Sequence, residues 1–173
     1  MVYKGMAVKK IFLLLLFVLL FRGTAGCNHA DKEDVVSEQA TKVIETMLTC
    51  PNQDLFNMDM FTVIGTDIPV SNEHNEKAKL ANEKALKNWE DAIGDCFAEG
   101  YLEQFLSTGL PTKYLAESET TGATISIVEI QLDEKTETSE WVTVNLTVDD
   151  ENESLKLVFY YDGDGLISKI EEK

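Results

Sequence analysis

The apolar residues of this chain change period near its middle, and that change restricts the fold more than any other feature. From Asp34 to Thr49, Val36, Ala40, Val43, Ile44, Met47 and Leu48 recur at spacings of three and four, the stripe of a helix with one buried face. Pro51 stops that helix, and Leu55 to Ile68 reads as a short turn of helix plus loop. Ser71 or Asn72 can cap a second helix running to about Ile93, with Ala78, Ala81, Ala85, Trp89 and Ala92 on one face. After Gly94, Cys96 to Leu106 offers Phe97, Tyr101, Leu102, Phe105 and Leu106 to a core, and Gly109 and Pro111 are expected to end the helical half.

Beyond Pro111 the period becomes two. Ala123 to Leu132, Glu140 to Val148, Ser154 to Tyr161 and Leu166 to Glu171 are rich in β-branched and aromatic residues, and turn-forming residues separate them. The second of these alternates cleanly: Val142, Val144, Leu146 and Val148 face one way and Trp141, Thr143, Asn145 and Thr147 the other. The first changes phase, because Ile125 and Ile127 share one face while Val128, Ile130 and Leu132 share the opposite one. A β-bulge near Ile127 reconciles the two and bends the sheet. Helices followed by a meander of about four strands predict an α+β domain with its helices packed on a curved antiparallel sheet.

The N-terminus carries an export pattern. Lys4, Lys9 and Lys10 precede an apolar run of 11 residues, Ile11 to Phe21, too short for the roughly 20 residues of a spanning helix. Thr24-Ala25-Gly26-Cys27 resembles the lipobox of bacterial lipoproteins, in which the cysteine thiol receives a diacylglyceryl group and becomes the new N-terminus. The resemblance implies a signal peptide over 1–26, a tether over 27–33, and a domain over 34–173 held at the extracytoplasmic face of the cell membrane by acyl chains on Cys27. Ordinary signal-peptidase cleavage after Ala25, giving a secreted protein, is the alternative reading. Four of the 15 basic residues and none of the 31 acidic ones precede Cys27, so 11 bases face 31 acids in the remainder, a formal charge of −20. Arg22 is the only arginine, and the remainder therefore has no guanidinium for bidentate phosphate contacts. Nucleic acid, which binds through clustered positive charge, is excluded as an expected partner. The same acidity keeps an exposed domain soluble and suits a cation or a basic partner better than a polyanion.

Other residues invite chemical readings. Tyr160, Asp162, Asp164, Gly165, Ile167 and Glu171 fall on positions one, three, five, six, eight and twelve of an EF-hand loop, making Asp162, Asp164 and Glu171 a weak calcium candidate. Tyr stands where the first ligand should be, and strand flanks the loop where a helix is needed, so a hairpin turn is the stronger reading. Cys50 and Cys96 remain as an even pair in an exported domain. Joined, they would stabilise by about 4 kcal/mol on the chain-entropy model; two buried thiols are the equal alternative. His29 and His74 stand apart, without the spacing of a zinc site or an evident place beside a cysteine nucleophile. Asn145-Leu-Thr147 and Asn152-Glu-Ser154 match the glycosylation sequon, which matters only in a eukaryotic host. No cofactor is implied.

The layout of helices and then a curved meander closing on Tyr161-Asp162-Gly163-Asp164-Gly165-Leu166-Ile167, with Ala98 to Phe105 before it, is similar to the NTF2-like, or cystatin-like, superfamily found in small Gram-positive lipoproteins. The similarity covers about Asp34 to Lys173 and is one of layout. It implies a sheet wrapped into a cone whose mouth is an active site, a binding pocket or plain core. Enzymes of that fold set a carboxylate in an apolar pocket, sometimes beside a tyrosine, and Asp59, Tyr101, Tyr114 and Glu129 are the residues such a role could recruit. The expectation is a non-enzymatic module that binds a small ligand or protein, with a small hydrolase or isomerase as the alternative. A cavity holding one buried acid and a tyrosine would favour the enzyme, and a filled core the surface-binding role.

Overall fold

Ser37 starts the first helix because its side chain accepts from the Ala40 N–H at 3.2 Å, meeting a donor that the helix itself leaves unpaired. The computed structural model describes residues 35–58 and 72–173, the side chains of 72–75 excepted. In it α1 runs over Glu38–Leu48, shorter at its start than the periodicity predicts, and buries Ala40, Val43, Ile44, Met47 and Leu48. Each large side chain buried in this way contributes about 1.5–3 kcal/mol, so the stripe and not helix propensity holds α1 in place.

The second helix, α2, spans Asn72–Ile93 and turns Ala78, Ala85, Trp89 and Ile93 inward. The expected Ser71 or Asn72 cap, His74, and most of the Leu55 to Ile68 segment fall outside the described residues or side chains. A 3-10 turn at Gly94–Cys96 leads to α3, Tyr101–Ser107, where Phe97 and Tyr101 stand with their ring centroids 5.4 Å and 6.4 Å from that of Phe105. A fourth helix, α4, follows at Lys113–Thr121 and corrects the expectation that Gly109 and Pro111 end the helical half. It buries only Tyr114, Leu115 and Ser118, too few positions to show a helical period in the sequence. Gly122 closes it at φ 78°, the left-handed conformation in which a side chain would clash with the backbone.

The sheet has the order β1-β2-β3-β4, an antiparallel meander that does not close: β1 is Ile125–Lys135, β2 Ser139–Val148, β3 Glu151–Tyr161 and β4 Ile167–Glu172. This is the α+β architecture expected. The register between β1 and β2 slips between Ile127 and Glu129, as the phase change requires, and again between Leu132 and Glu134. The first slip leaves Val128 outside, 64% exposed, and returns Ile130 and Leu132 to the face of Ile125 and Ile127, where they pack against the core. On β2 the expected alternation holds, with Val142, Val144, Leu146 and Val148 buried and Trp141 39% exposed on the far face. Strand β3 begins three residues earlier than its composition suggests. Asp149 and Asp150 take positive φ of 48° and 70°, forming a two-residue hairpin turn that aspartate tolerates, so pairing starts at once with Val148 opposite Glu151.

The helices lie on the inward face of this sheet. Val43, Ile44, Phe105 and Leu115 meet Val144, Leu157, Phe159 and Ile167 in one cluster whose members are almost fully excluded from water. Two polar contacts seat the helices: Trp89 Nε1 donates to the Leu55 carbonyl at 3.1 Å, and the Ile170 N–H donates to the Tyr101 hydroxyl at 2.7 Å. Burying either group without its partner would be costly, so both contacts specify the docking as well as stabilise it.

Candidate functional site

Extending the alternation of β2 backwards from Val142 places Glu140 on the inward face, and there it lies, 2% exposed. Extending β3 forwards from Phe159 brings Tyr161 to the same end of the core. Glu140 is the one buried charged side chain among the described residues. Its Oε2 accepts from the Tyr161 hydroxyl at 2.7 Å and from the Ser37 N–H at 3.0 Å, and Lys135 Nζ sits 2.6 Å from its Oε1. The Ser37 hydroxyl, 2.7 Å from the Tyr161 oxygen, completes a chain that runs from the Ala40 N–H to the carboxylate. Burial pushes the Glu140 carboxyl up, but Lys135, the Ser37 N–H and Tyr161 together outweigh it and hold the group below its usual range. Burial, reinforced by the neighbouring carboxylate and only partly opposed by Ser37, drives the Tyr161 hydroxyl far upward. The pair therefore stays as carboxylate and phenol near neutrality. A base already ionised, with two donors on Oε2 and Lys135 on Oε1, is committed to its neighbours, which is the arrangement of a structural ion pair.

Among the described residues, open concave surface lies on the helical side. A cleft of about 560 Å³ runs between the last turns of α1 and α2 and the loop after Pro51, lined by Glu45, Thr46, Thr49, Asp54, Asn88 and Asp91 among others. A second, of about 490 Å³, adjoins it at Asp54 and includes Lys84 and Glu119. Thr46 and Thr49 give their hydroxyl protons to the carbonyls of Lys42 and Glu45, so they turn lone pairs outward, and Asn88 Nδ2 donates to the Asp54 carbonyl at 2.7 Å. Three carboxylates and several acceptors make the lining acidic, with Lys84 Nζ 3.7 Å from Asp54 as its counter-charge.

The residues singled out in the sequence do not converge. Tyr101 spends its hydroxyl on β4 and Tyr114 points at Glu153 at 3.4 Å, while Glu129 is exposed beside Asn145; Asp59 lies outside the described residues. The geometry of Asp162 to Gly165 agrees with the hairpin turn preferred over the EF-hand. Asp162 Oδ1 accepts from the Asp164 and Leu166 N–H groups at 2.9 Å each, holding the hairpin. Glu171 sits on β4, where hydrogen bonds from Lys169 and Lys173 hold its carboxyl at about 2. Among the described residues no group of three or more His, Cys, Asp or Glu is placed to hold a metal. Cys50 and Cys96 are free thiols. The Cys50 thiol donates to the Met47 carbonyl after α1 and precedes a cis bond to Pro51, whereas that of Cys96 turns to Asp95. Burial is the main cause that pushes both to about 11, so neither is a ready nucleophile. Cys27 and His29 fall outside the described residues.

Sequence reasoning missed Glu140, Tyr161 and Ser37 as a unit. The strand period carried the first two, since each continues an apolar face by one step; that Ser37 meets them depends on how α1 docks. Comparison with family models, curated proteins and solved structures gives no match to this chain.

Proposed function

We propose that the chain is a lipid-anchored extracytoplasmic module, joined to the membrane by a diacylglyceryl group on Cys27, whose NTF2-like or cystatin-like domain acts as a non-enzymatic binding or accessory unit. The observation that carries the binding role is the filled inward face of the sheet. Val144, Phe159 and Ile167 are fully buried against the helices where a catalytic cone would be hollow, and the buried acid and tyrosine are engaged by each other, by Lys135 and by Ser37. What remains open to a ligand is surface, above all the acid-lined cleft between α1 and α2. Its charge and its excess of acceptors suit a cationic ligand or a basic segment of a protein. The anchor is supported by the order of charge, apolar run and small residues before Cys27. Two acyl chains hold a domain stably where a single chain binds only marginally.

Cell fractionation of the Cys27→Ala variant tests the anchor: the variant should leave the membrane fraction, and partitioning equal to the parent's sinks the lipid reading. Titration with a lysine-rich peptide tests the cleft, with affinity expected to drop when Asp54→Asn and Asp91→Asn are combined. The alternative, a hydrolase or isomerase using a buried carboxylate, gains if a turnover is found that Glu140→Gln abolishes while the fold survives.

A further inference from the structure

Ser37, Glu140, Tyr161 and Lys135 join the point where the chain enters the domain directly to the middle of the sheet. The Ser37 N–H and hydroxyl reach β2 and β3 through Glu140 and Tyr161, and Lys135 at the end of β1 reaches the Val35 carbonyl at 3.5 Å. Apolar packing also seats α1, since Ala40, Val43 and Ile44 are wholly buried in the core. A buried carboxylate at this position carries a desolvation cost that an apolar side chain would avoid. We propose that the cluster is a mechanical clasp, which takes tension arriving along the N-terminal segment and passes it into β2 and β3 so that α1 does not peel from its first turn.

With the anchor proposed at Cys27, any load that draws the domain away from the membrane enters the fold through this segment, and the inference rests on that reading. A helix drawn from its N-terminus would otherwise open one turn at a time, each turn giving up a few contacts in sequence. Fixed at Ser37 to two paired strands, it must instead break a charge-assisted set of hydrogen bonds together. Val35, 60% exposed, lies just before the grip, and Val36, packed on the core, sits between the two attachment points.

Single-molecule pulling on the full chain tests this. Handles at Asn28→Cys and Lys173→Cys put α1 on the path of the force, handles at Thr120→Cys and Lys173→Cys leave it off, and both carry Cys27→Ala. Cys50 and Cys96 are replaced by Ala in every variant and in the reference, so that only the handle cysteines react. In the first geometry Glu140→Gln should shorten the lifetime at constant force about 10-fold, the factor that a lost hydrogen bond to a charged group corresponds to, and Ser37→Ala, which keeps the N–H contact to Glu140 and loses the hydroxyl contact to Tyr161, about 5-fold. In the second geometry Ser37→Ala should leave it unchanged. Equal shortening in both geometries, or none in the first, overturns the clasp. Fractionation of Cys27→Ala fails or succeeds independently, so a wrong anchor and a wrong clasp give different results.

Discussion

Replacing Glu140 by Gln removes the buried charge while keeping the shape. The carboxylate holds three donors: Lys135, the Ser37 N–H and the Tyr161 hydroxyl. Hydrogen bonds to charged groups contribute about 1.5–3 kcal/mol, and breaking a buried pair typically costs about 3–5 kcal/mol when its partner is stranded. Here the Lys135 side chain is 42% exposed and can turn to water, and Gln still offers one oxygen to Ser37 or Tyr161, so the expected cost is about 2 kcal/mol. In a domain of this size that lowers the melting temperature by roughly 6–8 °C. The dependence on pH has a definite sign. The folded-state carboxyl is held below its ordinary value of 4.5, so its contribution is complete above that value and is lost as pH falls through the folded value. Urea unfolding of parent and Glu140→Gln at pH 7 and again near pH 3 measures it directly. The gap between them should be widest at pH 7 and shrink in acid. A gap that is absent at pH 7, or that widens as pH falls, refutes the account of Glu140 as an ionised structural partner.

Three further outcomes follow from the packing. Val128→Asp should change stability by no more than about 0.5 kcal/mol and Ile130→Asp by about 2 kcal/mol or more, since the bulge turns the first outward and the second inward; urea midpoints for the two compare the faces. With Cys27 capped or replaced, the native protein should gain no two-proton mass on reduction and should react slowly with a thiol reagent at neutral pH, both cysteines becoming reactive on unfolding. Asp162→Ala should cost about 1 kcal/mol by freeing two turn N–H groups, and calorimetry of the parent should register no micromolar calcium binding; heat that vanishes in the variant would restore the metal reading.

The sequence by itself determined the class of fold and much of its detail. Periods of 3.6 and then 2 separate helices from strands, the phase change at Ile127 locates the bulge, and alternation marks the even-numbered face of β2 as core, because these features depend only on which residues one element must bury. Local signals failed where burial was slight, as with α4, or where backbone conformation set the boundary, as with the Asp149–Asp150 turn. Tertiary structure alone decided what the polar residues do. Glu140 continues the face of Val142 and Val144, yet only the pairing of β3 brings Tyr161 to it and only the docking of α1 brings Ser37. Docking of α3 on β4 takes Tyr101 into the core, and the placement of α1 beside α2 opens the acidic cleft, whose lining residues are as much as 47 positions apart. Strand and helix periods report burial, which each element meets alone; a charge network belongs to several elements at once, and no single stretch of chain contains it.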